Sequence, residues 1–379
     1  MTALTSDQLI LAETARDFAR EHLAPHAVEW DQTKHFPVDV LRKAADLGLG
    51  GVYVAEDSGG SGLTRLDGVV VFEALATGCP SIAGYLSIHN MVAWMIDRYG
   101  DDDQRARWLP DLCSAETLGS YCLTEPGAGS DAAALGTRAV RDGDHYVLTG
   151  TKQFISGAGT SSVYLVMART ADDGASGVSA FIVHRDDPGL SFGANETKMG
   201  WNAQPTRQVL LDGVRVPADR LLGDEGDGFR IAMNGLNGGR LGIAACSLGG
   251  AQAALEASTA YLTDREAFGG PLINAQALRF RLAEMATALE AARSLLWRAA
   301  AALDAGSPEA QHLCAMAKRY ATDAGYDVAD SALQLHGGYG YLTEYGIEKI
   351  VRDLRVHRIL EGTNEIMSLI IARGLTGAA

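Results

Sequence analysis

At 379 residues the chain can bury a large core, and its length suggests two or three domains. With 47% hydrophobic and 21% charged residues it has the make-up of a globular protein, not of a disordered or fibrous one. The net charge of −15, from 47 acidic and 32 basic residues, repels a polyphosphate backbone and argues against nucleic-acid binding. A phosphorylated small molecule stays open to it, held by a few local arginines or helix N-termini.

The opening stretch from Met1 to Glu21 reads as an amphipathic helix with Ser6 or Asp7 near its N-cap. It has no basic n-region, apolar h-region or small-residue cleavage site, and no apolar run reaches the length of a membrane span. The expectation is therefore no signal peptide and no membrane partner. Helical periodicity continues to about residue 115, as in Leu9, Ala12, Ala15, Ala19 and Leu23, and again in Val40, Leu41, Ala44, Ala45 and Leu47. The glycine-rich stretch from Glu56 to Leu63 is a connector within this region. A helix is expected from Thr64 to about Ala76, with others after Pro80.

The period changes after about Thr117. His145–Thr149, Ser162–Ala168, Val178–His184 and Gln208–Leu211 are short β-branched and aromatic runs separated by turn residues. No long amphipathic segment intervenes, so the pattern is an all-β module and not a parallel βαβ sheet. From about Gly228 long alanine-rich helices return, over Phe229–Leu262, Ala275–Leu303 and Glu309–Leu335, with breaks at Pro271 and Ser307-Pro308. The fold class is α+β: helices, a β module, then a helical bundle.

Cys79, Cys113, Cys122, Cys246 and Cys314 are scattered, with no C-x-x-C pair, and there is no H-E-x-x-H. No metal site is expected, and buried free thiols in a reducing compartment fit the set. Gly127-Ala-Gly129-Ser-Asp-Ala132 matches a dinucleotide-binding pattern as text, but Pro126 precedes it and no strand with an acidic end follows. Either a plain turn or a helix N-cap at Ser130-Asp131 remains. Gln334-Leu-His-Gly-Gly338 ends a helix in two glycines beside an amide. Asn237-Gly-Gly-Arg240 puts two glycines inside a helix at about 1 kcal/mol each, which close approach of a ligand or tight helix packing would explain. Leu360-Glu-Gly-Thr-Asn-Glu365 sets an acid before a glycine and a good N-cap, Thr363; Glu361 is either an exposed loop carboxylate or a working one.

These segments together resemble the acyl-CoA dehydrogenase family along nearly the whole chain. Tyr121-Cys-Leu-Thr-Glu-Pro-Gly-Ala-Gly-Ser-Asp131 is similar to its first signature. Gln334–Gly340, Arg352-Asp-Leu-Arg355 and Ile359–Glu365 are similar to its second. The resemblance implies an N-terminal helical domain (1–116), a middle β-barrel-like domain (117–226) and a C-terminal four-helix bundle (227–379). It implies FAD as cofactor, contacted from the β side by Tyr121, Leu123, Thr124, Gly129, Ser130, Phe154, Ile155 and Ser156. Arg265, Phe268, Ala275, Gln276, Gln334, Gly337 and Gly338 would reach it across subunits, and Thr363 and Glu365 would flank it. Phe154 stands where many relatives have Trp, which leaves an aromatic shield in place.

Ser130, Asn237, Arg240 and Arg373 would contact the acyl-CoA substrate, although Arg373 in a last helical turn also suits the helix dipole. Glu361 would be the catalytic base, taking the α-proton of a thioester polarised by its own backbone N–H and a ribityl hydroxyl of the cofactor, while the β-hydrogen leaves as hydride. In that dry setting its pKa should be raised. Further implications are a homotetramer and electron-transferring flavoprotein as acceptor. The runs Met199–Arg207 and Gly235–Arg240 resemble the branch of the family acting on isobutyryl-CoA, the step to methacrylyl-CoA in valine breakdown; straight short-chain and 2-methylbutyryl substrates are the alternatives. A flavin oxidase or monooxygenase on the same fold is disfavoured by Glu361, and a non-catalytic CoA-binding protein by the intact flavin-contact set. The start at Met1 without a targeting peptide suggests a bacterial cytoplasm, or the mitochondrial matrix for a processed chain.

Overall fold

A computed structural model describes residues 4–377; Met1–Ala3, at the start of the first expected helix, and Ala378–Ala379 lie outside the described residues. The first helix, α1 (Ser6–Phe18), is capped by Thr5 and not by Ser6 or Asp7. The reason is reciprocity: Gln8 N–H donates to Thr5 Oγ1 (3.2 Å) while the Thr5 N–H donates to Gln8 Oε1 (3.0 Å), a capping box that Thr5 alone can close. Helices α2 (Ala27–Thr33), α3 (Val38–Asp46), α4 (Arg65–Ala76), α5 (Pro80–Tyr99) and α6 (Asp102–Cys113) complete this block. Thr64 caps α4 in a second box with Asp67. Both α4 and α5 are apolar on most sides, and both are buried on most sides, as such helices must be.

The middle of the chain forms β1 (Gly119–Cys122), β2 (Arg138–Asp142), β3 (His145–Ser156), β4 (Val163–Arg169), β5 (Val178–His184), β6 (Leu190–Phe192), β7 (Thr206–Pro217) and β8 (Leu221–Leu222). They pair in the order β6-β7-β3-β2-β4-β5-β8, with β1 beside β4. Most pairs are antiparallel, but β1 runs parallel to β4, and β2 meets β4 in parallel at Arg138–Arg169. The path ends at β6, three residues long, and β8, two residues long, without closing into a ring. Strands β4 and β5 are buried on both faces, which accounts for their continuous apolar runs.

The last block is α7 (Gly228–Asp264), α8 (Gln276–Asp304), α9 (Ala310–Leu335), α10 (Ile347–His357) and α11 (Asn364–Thr376). Three long helices pack together and the shorter α10 and α11 lie against α9, a C-terminal helical domain as expected. Pro271 falls in a small hairpin, Glu266–Ala267 with Gly270–Pro271, that separates α7 from α8. Helices α4 and α5 pack on α7, so the first and last blocks share one core. A second core joins α5, α6, β4, β5 and the start of α7. Helix α7, like α5, thus packs against all three blocks. Among the described residues no helix is long and apolar enough to cross a membrane.

Candidate active site

After α10 the chain turns through two successive left-handed residues, Glu361 (φ 55°) and Gly362 (φ 93°). A left-handed backbone costs a non-glycine residue about 1–2 kcal/mol, so the surroundings must enforce it. Lys318, from α9, donates from Nζ to Gly362 O (2.7 Å) and to Asn364 Oδ1 (2.9 Å). Arg240, from α7, points Nε at Glu361 O (3.4 Å) and donates from Nη1 to Asn237 Oδ1 (2.9 Å). The Asn364 N–H closes the loop on Arg358 O (3.0 Å), and Thr363 caps α11 by accepting from Ile366 N–H (3.3 Å).

So held, the Glu361 side chain lies flat on α7. A Cβ built on Gly239 would come within 2.3 Å of Oε2, so only glycine leaves room for the carboxylate there. Both carboxylate oxygens are buried and have no hydrogen-bond partner. Burial pushes the pKa up to about 7, with Lys318 and Arg240 pulling it partly back. A buried carboxylate poised near neutrality, with no donor of its own, is built to accept a proton. For the free enzyme, kcat/KM should therefore rise as pH rises through about 7, where Glu361 loses its proton. A profile flat between about pH 5.5 and 8.5 would tell against Glu361 as the base.

The sheet supplies the opposite wall. Strand β3 breaks register with β7 between Lys152 and Ile155, and Phe154 there has φ 60°. This bulge turns the Phe154 ring outward, where it is 64% exposed. Buried Lys152 donates from Nζ to Leu123 O (3.1 Å) and Glu125 Oε1 (2.6 Å), and Glu125 in turn accepts from the N–H groups of Gly136 (2.6 Å) and Thr137 (3.0 Å). With Gln153 N–H on Thr124 O (2.8 Å), these bonds fix the loop after β1 beside β3. The Tyr121 hydroxyl is buried without a partner and close enough to Glu361 and Arg240 to feel both charges. Space is open where side chains on Gly127 and Gly129 would begin.

The side chains of Leu123 and Ile155 are packed into apolar cores, so only their backbone can face a ligand; the bulge that turns Phe154 out leaves Ile155 turned in. Ser130-Asp131 does not start an α-helix: Ala132–Ala134 is a single 3-10 turn and Asp131 makes no capping bond, leaving Gly129 and Ser130 exposed. Arg240 is buried and already engaged within the catalytic loop.

Arg265, Gln334, Gly337 and Gly338 come together elsewhere, around a cleft of about 390 Å³ at the far end of α9 that Tyr261 and Tyr339 also line. The Arg265 guanidinium sits 5.4 Å from the centre of the Tyr339 ring. Phe268, Ala275 and Gln276 nearby in sequence are exposed. Thr363 and Glu365 line a polar cleft of about 430 Å³ with Arg319, Arg355 and Arg358, and Arg373 is exposed in the last turn of α11. No described hydrogen bond links the Arg265 group to the Glu361 group.

Lys318 and Lys152 escaped the sequence reading. For Lys318 the signal was a lone lysine on a stripe of small apolar residues, Cys314, Ala315, Ala317 and Ala321. Lys318→Met should leave Gly362 O without a donor and Asn364 Oδ1 with only the longer bond from Thr322 Oγ1 (3.3 Å), and cost about 1–3 kcal/mol of stability. It should also lower kcat more than it raises KM; a variant with wild-type kcat and melting temperature would remove Lys318 from the loop's support.

Models of the N-terminal, middle and C-terminal domains of acyl-CoA dehydrogenases match residues 5–116, 120–214 and 226–376. The chain therefore belongs to the acyl-CoA dehydrogenase family, oxidoreductases built as a helical block, a β domain and a second helical block. It is 53% identical to bovine mitochondrial isobutyryl-CoA dehydrogenase over 372 residues, 98% of this chain and 89% of that one. It is 41% identical to bovine short-chain specific acyl-CoA dehydrogenase over 365 residues, 96% and 88% of the two. The butyryl-CoA dehydrogenase structure from Megasphaera elsdenii superposes with a TM-score of 0.96 at 37% identity, covering 99% of each chain. The protein is an FAD-dependent acyl-CoA dehydrogenase.

Proposed function

We propose that the chain dehydrogenates a short, α-branched acyl-CoA, isobutyryl-CoA first, to the α,β-unsaturated thioester. The observation that carries the chemistry is the Glu361 carboxylate, buried, without a partner and with a pKa of about 7. The branched substrate is supported by the 53% identity to an isobutyryl-CoA dehydrogenase against 41% to a short-chain enzyme. Half-buried Leu360, just before the base, is an aliphatic side chain that would suit an α-methyl group beside it.

The residues present fit FAD. An outward aromatic ring at Phe154, open space at Gly127 and Gly129 and a partnerless phenol at Tyr121 suit a flat ring system. Tyr121, Thr124, Gly129, Ser130, Phe154, Ser156, Thr363, Glu365 and the backbone of Leu123 and Ile155 would hold it from one subunit. The Arg265 cleft, with Phe268, Ala275, Gln276, Gln334, Gly337 and Gly338, would receive its diphosphate and adenosine from a neighbouring copy. The wholly exposed Phe268 ring supports such an assembly, proposed to be a homotetramer. FAD would supply the hydride acceptor for the β-hydrogen, and the proposed acceptor of its electrons is electron-transferring flavoprotein.

Glu361 takes the α-proton. Its own N–H makes none of the described hydrogen bonds and is free to donate to the thioester oxygen as charge develops there. Lys318 and Arg240 keep the loop rigid, so the carboxylate need not reorganise. Ser130, Asn237, the remaining edge of Arg240 and Arg373 are proposed to hold the CoA portion.

The test is kcat/KM for isobutyryl-, butyryl-, 2-methylbutyryl- and octanoyl-CoA with one artificial acceptor. Isobutyryl-CoA should lead, with butyryl- and 2-methylbutyryl-CoA within about 10- to 200-fold, because one methyl group discriminates no better. Butyryl-CoA in the lead would make this a straight short-chain enzyme, and octanoyl-CoA in the lead would overturn the short-pocket reading.

A further inference from the structure

Two successive glycines of α7 each make room for one charged side chain. The Glu361 carboxylate fills the space at Gly239; the Arg65 guanidinium fills the space at Gly238, where a Cβ would lie 2.5 Å from Nη1. Arg65, the first residue of α4, is only 7% exposed. Its Cζ sits 4.0 Å from the centre of the Tyr53 ring and 4.3 Å from that of Trp94, so the guanidinium is held by two aromatic rings. None of the described ion pairs includes it. The nearby Asp304 carboxylate is occupied with the N–H groups of Arg65 (2.7 Å) and Leu66 (3.1 Å) at the start of α4. A buried cation without an ion pair is costly to keep, and proton abstraction by Glu361 makes no use of it.

We propose that Arg65, clamped by Tyr53 and Trp94, forms the far wall of the acyl pocket and sets its short-chain limit. The inference rests on the reading of Glu361 as the base. The α-carbon of any substrate must lie within contact of the Glu361 oxygens, which rest on α7 at Gly239, and the Arg65 guanidinium packs against α7 at the neighbouring Gly238. An acyl chain growing along α7 from that point toward Gly238 meets the guanidinium. Methylenes laid against it strip what hydration it keeps and offer no acceptor in return. The cage resists displacement: Tyr53 is itself wedged against Gly68, where a Cβ would come within 2.2 Å of the phenol oxygen. Two methyl groups on the α-carbon fit short of this wall, and a straight chain of six carbons does not.

The test compares kcat/KM for hexanoyl-CoA and isobutyryl-CoA in FAD-loaded wild type, Arg65→Ala and Arg65→Lys. The hexanoyl to isobutyryl ratio should rise about 10-fold or more in Arg65→Ala, with Arg65→Lys between, since lysine keeps the charge but not the flat fork. In a Glu361→Gln background, where turnover is blocked, the same shift should appear in the calorimetric Kd values of the two thioesters. A ratio within about twofold of wild type in both Arg65 variants would overturn the proposal. Should Arg65→Ala fail to fold, Trp94→Leu opens the same wall from α5 and must raise the ratio, or the proposal falls. Failure of the reading of Glu361 as the base looks different: Glu361→Gln alone would then turn over both thioesters at near the wild-type rate, whatever the Arg65 variants do.

Discussion

Glu361→Gln should purify with FAD and bind acyl-CoA, yet reduce its flavin about 10²- to 10⁴-fold more slowly on mixing with substrate. The amide is nearly the shape of the carboxylate it replaces, and the loop that holds residue 361 depends on the Lys318 and Arg240 bonds to backbone carbonyls, not on the carboxylate. Position is kept and the proton acceptor is lost, so the effect falls on the chemical step and KM changes little. Anaerobic stopped-flow bleaching of the flavin measures it directly. A near wild-type bleaching rate would mean that some other group takes the proton.

Gly239→Ala should be nearly as damaging for a geometric reason. The added methyl carbon would lie 2.3 Å from Glu361 Oε2, 2.8 Å from Cδ and 3.0 Å from Oε1, and the side chain must swing away. Because the clash is with the end of a flexible side chain, the fold should tolerate it, with a melting temperature and FAD content close to wild type. The base, however, is displaced by roughly an ångström, a shift that costs on the order of 10²-fold in rate. A drop in kcat with stability intact is the expected signature. Loss of folding with the change, or full activity despite it, would show that the carboxylate does not rest on α7 during turnover.

The same residues show how far reading the chain could go. The long helices α7, α8 and α9 fall within one or two residues of expectation, because helical periodicity sustained over 26 to 37 residues with breakers at each end has few other solutions. The glycines of Asn237-Gly-Gly-Arg240 were recognisable as a propensity cost in need of a cause, and Glu361 as an acid before a glycine. The cause itself, two charged side chains from distant segments packed against adjacent residues of one helix, was not recognisable. Nor were the bonds that Arg240 makes to the Glu361 carbonyl and to Asn237.

Local pattern thus determined which segments are helical, which are extended and where the β module lies, since periodicity and turn chemistry act over neighbours in the chain. It also marked the family's motifs. Tertiary structure alone decided the parallel seat of β1 on β4, the inward turn of Ile155 beside outward Phe154, and the burial that carries the Glu361 pKa to about 7. Lys318 and Glu361 stand 43 positions apart, Arg65 and Gly238 far more. Their meeting depends on how α4, α9 and the loop after α10 pack around α7, and burial, desolvation and charge proximity come into being only when that packing does.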